Sequence, residues 1–248
     1  MNFDSLEEFL NGDDSESFGF TEDDAGGDEY VGMRETSIQN MGEFQRLEMI
    51  QPPDDASSVI ICAIQIDDSR SMNEAEKIMA IKEGLEGAMK NLKGLAENEN
   101  KCIHLLVAGF EGIYYEGDIL GCNIMSVINS YNPNHGSTPL TTLAVNLAVG
   151  IENLGQAYFA AGYRHHVMVQ IMTDGMPTSD DRPLEDYNTV IRLQRSWAVC
   201  ALGILGNELS KQEIEQIFRR MGITAPVPAT AEEAANIIIK FSNTATAF

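Results

Sequence analysis

Apolar positions along the chain switch repeatedly between two patterns. Val59-Ile60-Ile61-Cys62-Ala63-Ile64-Gln65-Ile66 is apolar at almost every position, as a strand covered on both faces should be. The stretch at about 74–97 instead places Ile78, Ile81, Leu85, Met89 and Leu92 at helical period, with Lys82, Glu83 and Lys90 off the stripe. Ile103–Phe110, Val167–Thr173 and Trp197–Leu205 read as further buried strands, and Ile113-Tyr114-Tyr115 as a short antiparallel edge strand. Helices are predicted over Asn123–Tyr131, from Pro139 in a first turn to about Ala160, and over Pro183–Arg195. Two more are predicted over 211–221, where Ser210 and Glu213 form a capping box, and over about 231–242. Asn132–Gly136 is a loop by its turn residues. The alternation predicts an α/β fold: a doubly wound, mainly parallel central sheet flanked by helices. Gln65 and Gln170 interrupt apolar strands and call for hydrogen-bond partners.

The beginning of the chain lacks this periodicity. Residues 1–30 hold eleven acidic groups and no Lys or Arg, so half of the net charge of −22 falls there. The expected organisation is an acidic disordered tail at 1–30, a connector at 31–57 and a folded domain at 58–245. Phe3, Leu6, Phe9 and Leu10 have helical spacing. Two readings of the tail stand: an amphipathic helix for a partner's groove, or a solvating segment.

The charge balance and a pI near 4.3 argue against nucleic-acid binding and against docking on an anionic membrane. No segment reaches the roughly 18 apolar residues that a bilayer span needs. The acidic start is unlike a secretory signal, and four cysteines show no CxxC pairing. Cys62 and Cys200 lie in apolar runs, as core thiols do. A cytoplasmic location is expected.

In doubly wound sheets, ligands bind at the carboxyl ends of the strands. The first strand ends in Asp67-Asp68-Ser69-Arg70-Ser71, and a later one in Thr173-Asp174-Gly175. Gly136-Ser137-Thr138-Pro139-Leu140 lies between them at a helix start. A parallel sheet gathers all three at one edge. Asp67, Ser69, Ser71, Thr138 and Asp174 then offer two carboxylates and three hydroxyls. These are hard oxygen donors suited to Mg²⁺, with Mn²⁺ and Ca²⁺ as alternatives, rather than to zinc or copper. An ion held by neutral hydroxyls stays underneutralised and attracts an acidic side chain from another molecule. The bland alternative is that Asp67 to Asn73 cap the next helix.

The three segments together resemble the metal-ion-dependent adhesion site of the von Willebrand factor A domain family, in its order and spacing, over about 57–245. The resemblance implies that Ser69 and Ser71 touch the ion directly and that Thr138 joins or leaves by conformation. Asp67 and Asp174 would lie at the ion or just behind it. It also implies a non-enzymatic module whose protein partner offers Asp or Glu to the metal. Intracellular members, of bacterial or phage type, are associated with MoxR-type AAA+ ATPases and with tellurite-resistance and stress operons. Asp174-Gly175-Met176-Pro177-Thr178 is similar to the latter.

The sequence departs from that family in Arg70, where Gly is usual, and in the extra acid Asp68. Arg70 would pair with Asp68, pair with an incoming carboxylate, or crowd the ion. His135 is either a surface-loop histidine or a pH-dependent neighbour of Thr138. His165 and His166 are expected to face solvent just before a strand, and Asp180 and Asp181 to occupy an exposed loop.

A phosphotransferase of the haloacid-dehalogenase type would need a second acid where Ser69 stands. Neither a GxxxxGK[ST] loop nor a GxSxG elbow occurs. The rival to partner capture is a structural part of a phage or large bacterial complex, with a dispensable metal site and an interacting tail. A linked possibility is self-association, with tail carboxylates occupying the chain's own metal site or a neighbour's.

Overall fold

The run of branched apolar residues from Ser58 to Ile66 forms the central strand, β1, and burial on both faces extends almost from end to end. The computed structural model describes residues 44, 46–53, 56–192, 194, 196–206, 210–224 and 226–248. These fall in one unit spanning 35–248. The expected acidic tail and residues 31–43 of the expected connector lie outside the described residues.

On either side of β1 run β2 (Cys102–Gly109) and β4 (Arg164–Thr173), both parallel to it. Outward from β4 come β5 (Ala198–Ile204) and β6 (Pro226–Ala229), again parallel. β3 (Gly112–Asp118) pairs antiparallel with β2 at the other edge. The order is therefore β3-β2-β1-β4-β5-β6. Winding reverses between β1 and β4, so a crevice is expected at their carboxyl ends.

Among the described residues, six α-helices flank the sheet: α1 (Ala75–Glu99), α2 (Ile124–Ser130), α3 (Leu140–Ala160), α4 (Leu184–Ile191), α5 (Lys211–Arg220) and α6 (Ala231–Ser242). The α1 stripe of Ile81, Leu85, Met89 and Leu92 packs with Ile60, Cys62, Ile64 and Ile66 of β1 and with Ile238 of α6. Gly84 lets α1 and α6 approach: a Cβ there would lie 2.6 Å from Ile238 Cδ1. Helix α3, packed on β1 and β4, covers the other face. The capping box at Ser210 and Glu213 forms as expected and starts α5.

The structure differs from expectation at several elements. β6 was not foreseen, because Pro226 and Pro228 in a four-residue strand argue against pairing. At the edge of the sheet, paired among the described residues with β5 alone, the strand tolerates them. α4 stops at Ile191, short of the expected Arg195; beyond it Gln194 N donates to the Ile191 carbonyl at 2.9 Å and Trp197 N to the Gln194 carbonyl at 3.1 Å. His165 and His166 lie inside β4 and are half-buried; His166 stacks on Phe248 with ring centroids 4.8 Å apart. All four cysteines are free, with Cys200 only half-buried. Among the described residues, no helix is long and apolar enough to cross a membrane.

The two strand glutamines have different fates. Gln65 Nε2 donates to the Leu140 carbonyl at 3.2 Å and ties β1 to the start of α3. Gln170, 1 % exposed, has no protein partner for either amide atom among the described residues. Burying an uncompensated amide costs about 1–3 kcal/mol. Gln170→Met, close in volume, should therefore stabilise the fold by about 1 kcal/mol or more. A urea titration checks this, and a loss of stability would contradict it.

Candidate metal centre

The site begins where β1 runs out. Asp67 N–H donates to the Met172 carbonyl at 3.0 Å, the last link between β1 and β4. Its side chain is fully buried: Oδ1 accepts from Ser69 N at 2.8 Å and Oδ2 from Thr173 Oγ1 at 2.5 Å. Burial, with a smaller push from the Asp174 charge, raises its carboxyl to about 6. The backbone then makes a short 3₁₀ turn, Arg70–Met72. That turn brings Ser69 Oγ and Ser71 Oγ to 2.9 Å, and Ser71 Oγ donates to Asp174 Oδ1 at 2.7 Å.

Thr138 arrives from the loop before α3. Its carbonyl accepts from Leu140 N at 2.8 Å and from Thr178 N at 3.2 Å, which fixes the loop against the segment after β4. Gly175 shows where the hydroxyls point. A Cβ there would sit 3.6 Å from Ser71 Oγ and 3.8 Å from Thr138 Oγ1. The five expected residues are thus gathered at the β1/β4 switch point, and all but the half-buried Ser71 are buried.

The loops are joined by their backbones. His135 N donates to the Asp68 carbonyl at 2.9 Å, and Arg70 N to the His135 carbonyl at 3.0 Å. His135 is half-buried, and its Nδ1 donates to the Ser137 carbonyl at 2.8 Å. It serves its own loop rather than facing open solvent.

Three charged neighbours are placed by the fold. Asp68 is 1 % exposed and accepts from Phe110 N at 2.9 Å, Glu111 N at 3.4 Å and the Tyr114 hydroxyl. It is turned towards the β2–β3 hairpin and does not pair with Arg70. Gly109 makes room for it, since a Cβ there would meet Asp68 Oδ2 at 2.5 Å. Arg70 is exposed and pairs with no carboxylate among the described residues. Asp181, expected in an exposed loop, caps α3: it accepts from Thr141 N at 2.7 Å, Thr142 N at 2.9 Å and Thr142 Oγ1 at 2.7 Å.

Lys77 was missed. It is 4 % exposed, and Nζ lies 2.5 Å from Asp174 Oδ2, 2.9 Å from Glu74 Oε1 and 3.1 Å from the Ser71 carbonyl. Burial works against its charge, but Asp174 and Glu74 outweigh that and hold the ammonium above its ordinary range. One signal was available: Lys77 lies four residues before Ile81, on the stripe that α1 buries.

The donor set fits a hard divalent cation. The Ser69, Ser71 and Thr138 hydroxyls and the Asp174 carboxylate lie close together, Asp67 braces the Ser69 backbone beside them, and Gly175 adds no side chain to fill the space. No cluster of three or more His, Cys, Asp or Glu among the described residues is placed to hold a metal. A cation here would therefore depend on the hydroxyls, which suits Mg²⁺ or Mn²⁺ better than softer ions.

Comparisons with models of known families and with curated protein sequences give no match. Solved structures do match. Proximal thread matrix protein 1 of the mussel byssus is 20 % identical with a TM-score of 0.51, over 77 % of this chain and 48 % of that one. The pilus adhesin SpaC of Lactobacillus rhamnosus GG is 13 % identical with a TM-score of 0.54, over 79 % of this chain and 31 % of that one. The von Willebrand factor domain of the type V pilus tip protein Mfa5 of Porphyromonas gingivalis gives 9 % and 0.55, over 77 % of this chain and 96 % of that one. This chain therefore has the von Willebrand factor A fold. It spans about half the length of the mussel protein and under a third of the adhesin.

Proposed function

We propose that the chain is a non-enzymatic, metal-dependent protein-binding module. Ser69, Ser71 and Thr138, with Asp67 and Asp174, hold Mg²⁺, and a partner supplies an Asp or Glu carboxylate. The observation that carries this reading is the convergence of the Ser71 and Thr138 hydroxyls beside Gly175, with Ser71 bonded to Asp174. The bound ion would supply an electrophilic point for that carboxylate. Asp67 holds the Ser69 backbone through its 2.8 Å hydrogen bond, and Asp174 positions Ser71. Exposed Arg70 and Met176, which is 55 % exposed, flank these residues in sequence. They suit an acidic residue followed by an apolar one. The adhesin among the structural relatives is in keeping with a binding role.

The partner we favour is a cytoplasmic protein of the MoxR-type AAA+ class or a stress-response complex of the tellurite-resistance kind. The eleven acids of residues 1–30 favour one second reading, an assembly component acting through that segment. Affinity capture with wild-type and Asp67→Ala baits, each with Mg²⁺ or EDTA, tests both. The expected result is Mg²⁺-dependent capture by wild type only, together with thermal stabilisation by MgCl₂ that Asp67→Ala lacks. Saturating the site at about a hundred times Kd adds about 2.7 kcal/mol. Capture unchanged by EDTA and by Asp67→Ala, but lost on deleting residues 1–30, selects the assembly reading.

A further inference from the structure

We propose that Lys77 is a built-in counter-ion that competes with the divalent cation for Asp174. The site would then alternate between a lysine-held and a metal-held arrangement. The inference rests on the reading of the site given above.

The geometry that supports it is specific. Lys77 Nζ takes Asp174 Oδ2 at 2.5 Å while Ser71 Oγ takes Oδ1 at 2.7 Å, so both oxygens are engaged from within the chain. The side chain of Lys77 is 5 % exposed and that of Asp174 1 %. A contact so buried is little screened by salt. Asp67 and Asp174 bring two negative charges, and Lys77 cancels one of them. A divalent cation would therefore meet a weaker field than the carboxylates alone would set up.

Lys77 also has somewhere to go. Glu74 Oε1 is already 2.9 Å from the ammonium, and its side chain is 56 % exposed at the rim. The Ser71 carbonyl, 3.1 Å away, keeps a second contact. On release of Asp174, the ammonium stays with Glu74 and Ser71 O and needs no exposed, unpaired intermediate. Gly206 leaves room for the ammonium where it now sits between these groups, since a Cβ there would lie 3.0 Å from Nζ. Glu74 is thus a receiving group for the displaced charge, and Lys77 sets how much cation is needed to free Asp174.

Calorimetric titration of the full chain with MgCl₂ and with MnCl₂ tests this. Lys77→Met, which keeps the length and removes the charge, is expected to bind about tenfold tighter or more. Glu74→Gln, at an exposed position, should bind several-fold weaker because the displaced ammonium loses its receiving carboxylate; circular dichroism confirms the fold of each. Tighter binding in Lys77→Met with weaker binding in Glu74→Gln supports the proposal. If wild type binds the ion and neither variant changes affinity, or Lys77→Met weakens it, the counter-ion role is wrong while the metal site stands. If neither wild type nor Lys77→Met binds either ion, both the role and the metal site are wrong. Should Lys77→Met fail to fold, Glu74→Gln decides: unchanged affinity overturns the proposal.

Discussion

In protein stripped of divalent ions with EDTA, Asp174→Ala should lose on the order of 3–5 kcal/mol of stability. The cause is what the substitution leaves behind. Lys77 Nζ is buried and holds Asp174 Oδ2 at 2.5 Å, and Glu74, its remaining carboxylate, is more than half exposed. Removing one partner of a buried pair leaves the other charge undercompensated, here with only the solvent-screened Glu74 and the Ser71 carbonyl, and that costs more than the intact pair contributes. The double variant Asp174→Ala/Lys77→Met removes both charges and should recover most of the loss. A double-mutant cycle by urea unfolding measures the coupling. Additive losses would show that the pair contributes nothing. Asp174→Asn should fall between the two, since it keeps an acceptor for both the ammonium and Ser71.

The second large effect is a dependence on acid set far from the metal centre. His104 is fully buried on β2, with Nδ1 2.9 Å from the Tyr158 hydroxyl. Tyr158 also accepts from Ile50 N at 3.0 Å, and the arrangement suits a neutral imidazole that accepts the Tyr158 proton at Nδ1 and carries its own on Nε2. Nε2 faces Glu116 Oε1 at 3.4 Å, too long for a good hydrogen bond. Burial lowers the imidazole from 6.5 to about 4, and the charge of Asp118 offsets this only in part. Between those values the unfolded chain takes up a proton that the folded chain refuses. The contribution of His104 is therefore complete above pH 6.5 and is lost as the pH falls towards 4. Its full size is on the order of 3 kcal/mol. Asp67 works in the opposite direction: its raised carboxyl favours the fold at low pH, and that contribution is lost as the pH rises through about 6. The two trends oppose each other in wild type, so the difference between wild type and His104→Gln is the informative quantity. That difference should shrink by about 2 kcal/mol between pH 7.5 and pH 4.5. A gap that stays constant would mean that His104 ionises freely in the fold.

The fold was legible because its signal is dense. Near-continuous apolar runs mark β1, β2, β4 and β5, and the stripe on α1 repeats over 25 residues. β6 escaped because its short length and two prolines look like a loop until β5 lies beside it. At the candidate site, Asp67, Ser69, Ser71, Thr138 and Asp174 were legible from their places at strand ends and a helix start. What they bond to was not. Asp68 is adjacent to Asp67 in sequence, yet alternation along an extended backbone turns it to the other side, towards Tyr114. Asp181 caps a helix forty residues earlier, and no local pattern encodes so distant a partner. Lys77 carries the same lesson. A lysine on a buried stripe signals a buried counter-charge, but only the fold shows that this charge is Asp174.

The backbone links between His135 and the Asp68–Arg70 segment bear on how such a site would move. The loop that bears Thr138 is stitched at two points to the one that bears Ser69. Neither can be displaced without dragging the other or breaking bonds that the opposite loop needs. These two loops therefore form one linked body rather than two independent arms. A displacement at Thr138 would be transmitted through His135 to Ser69 and on to the end of β1.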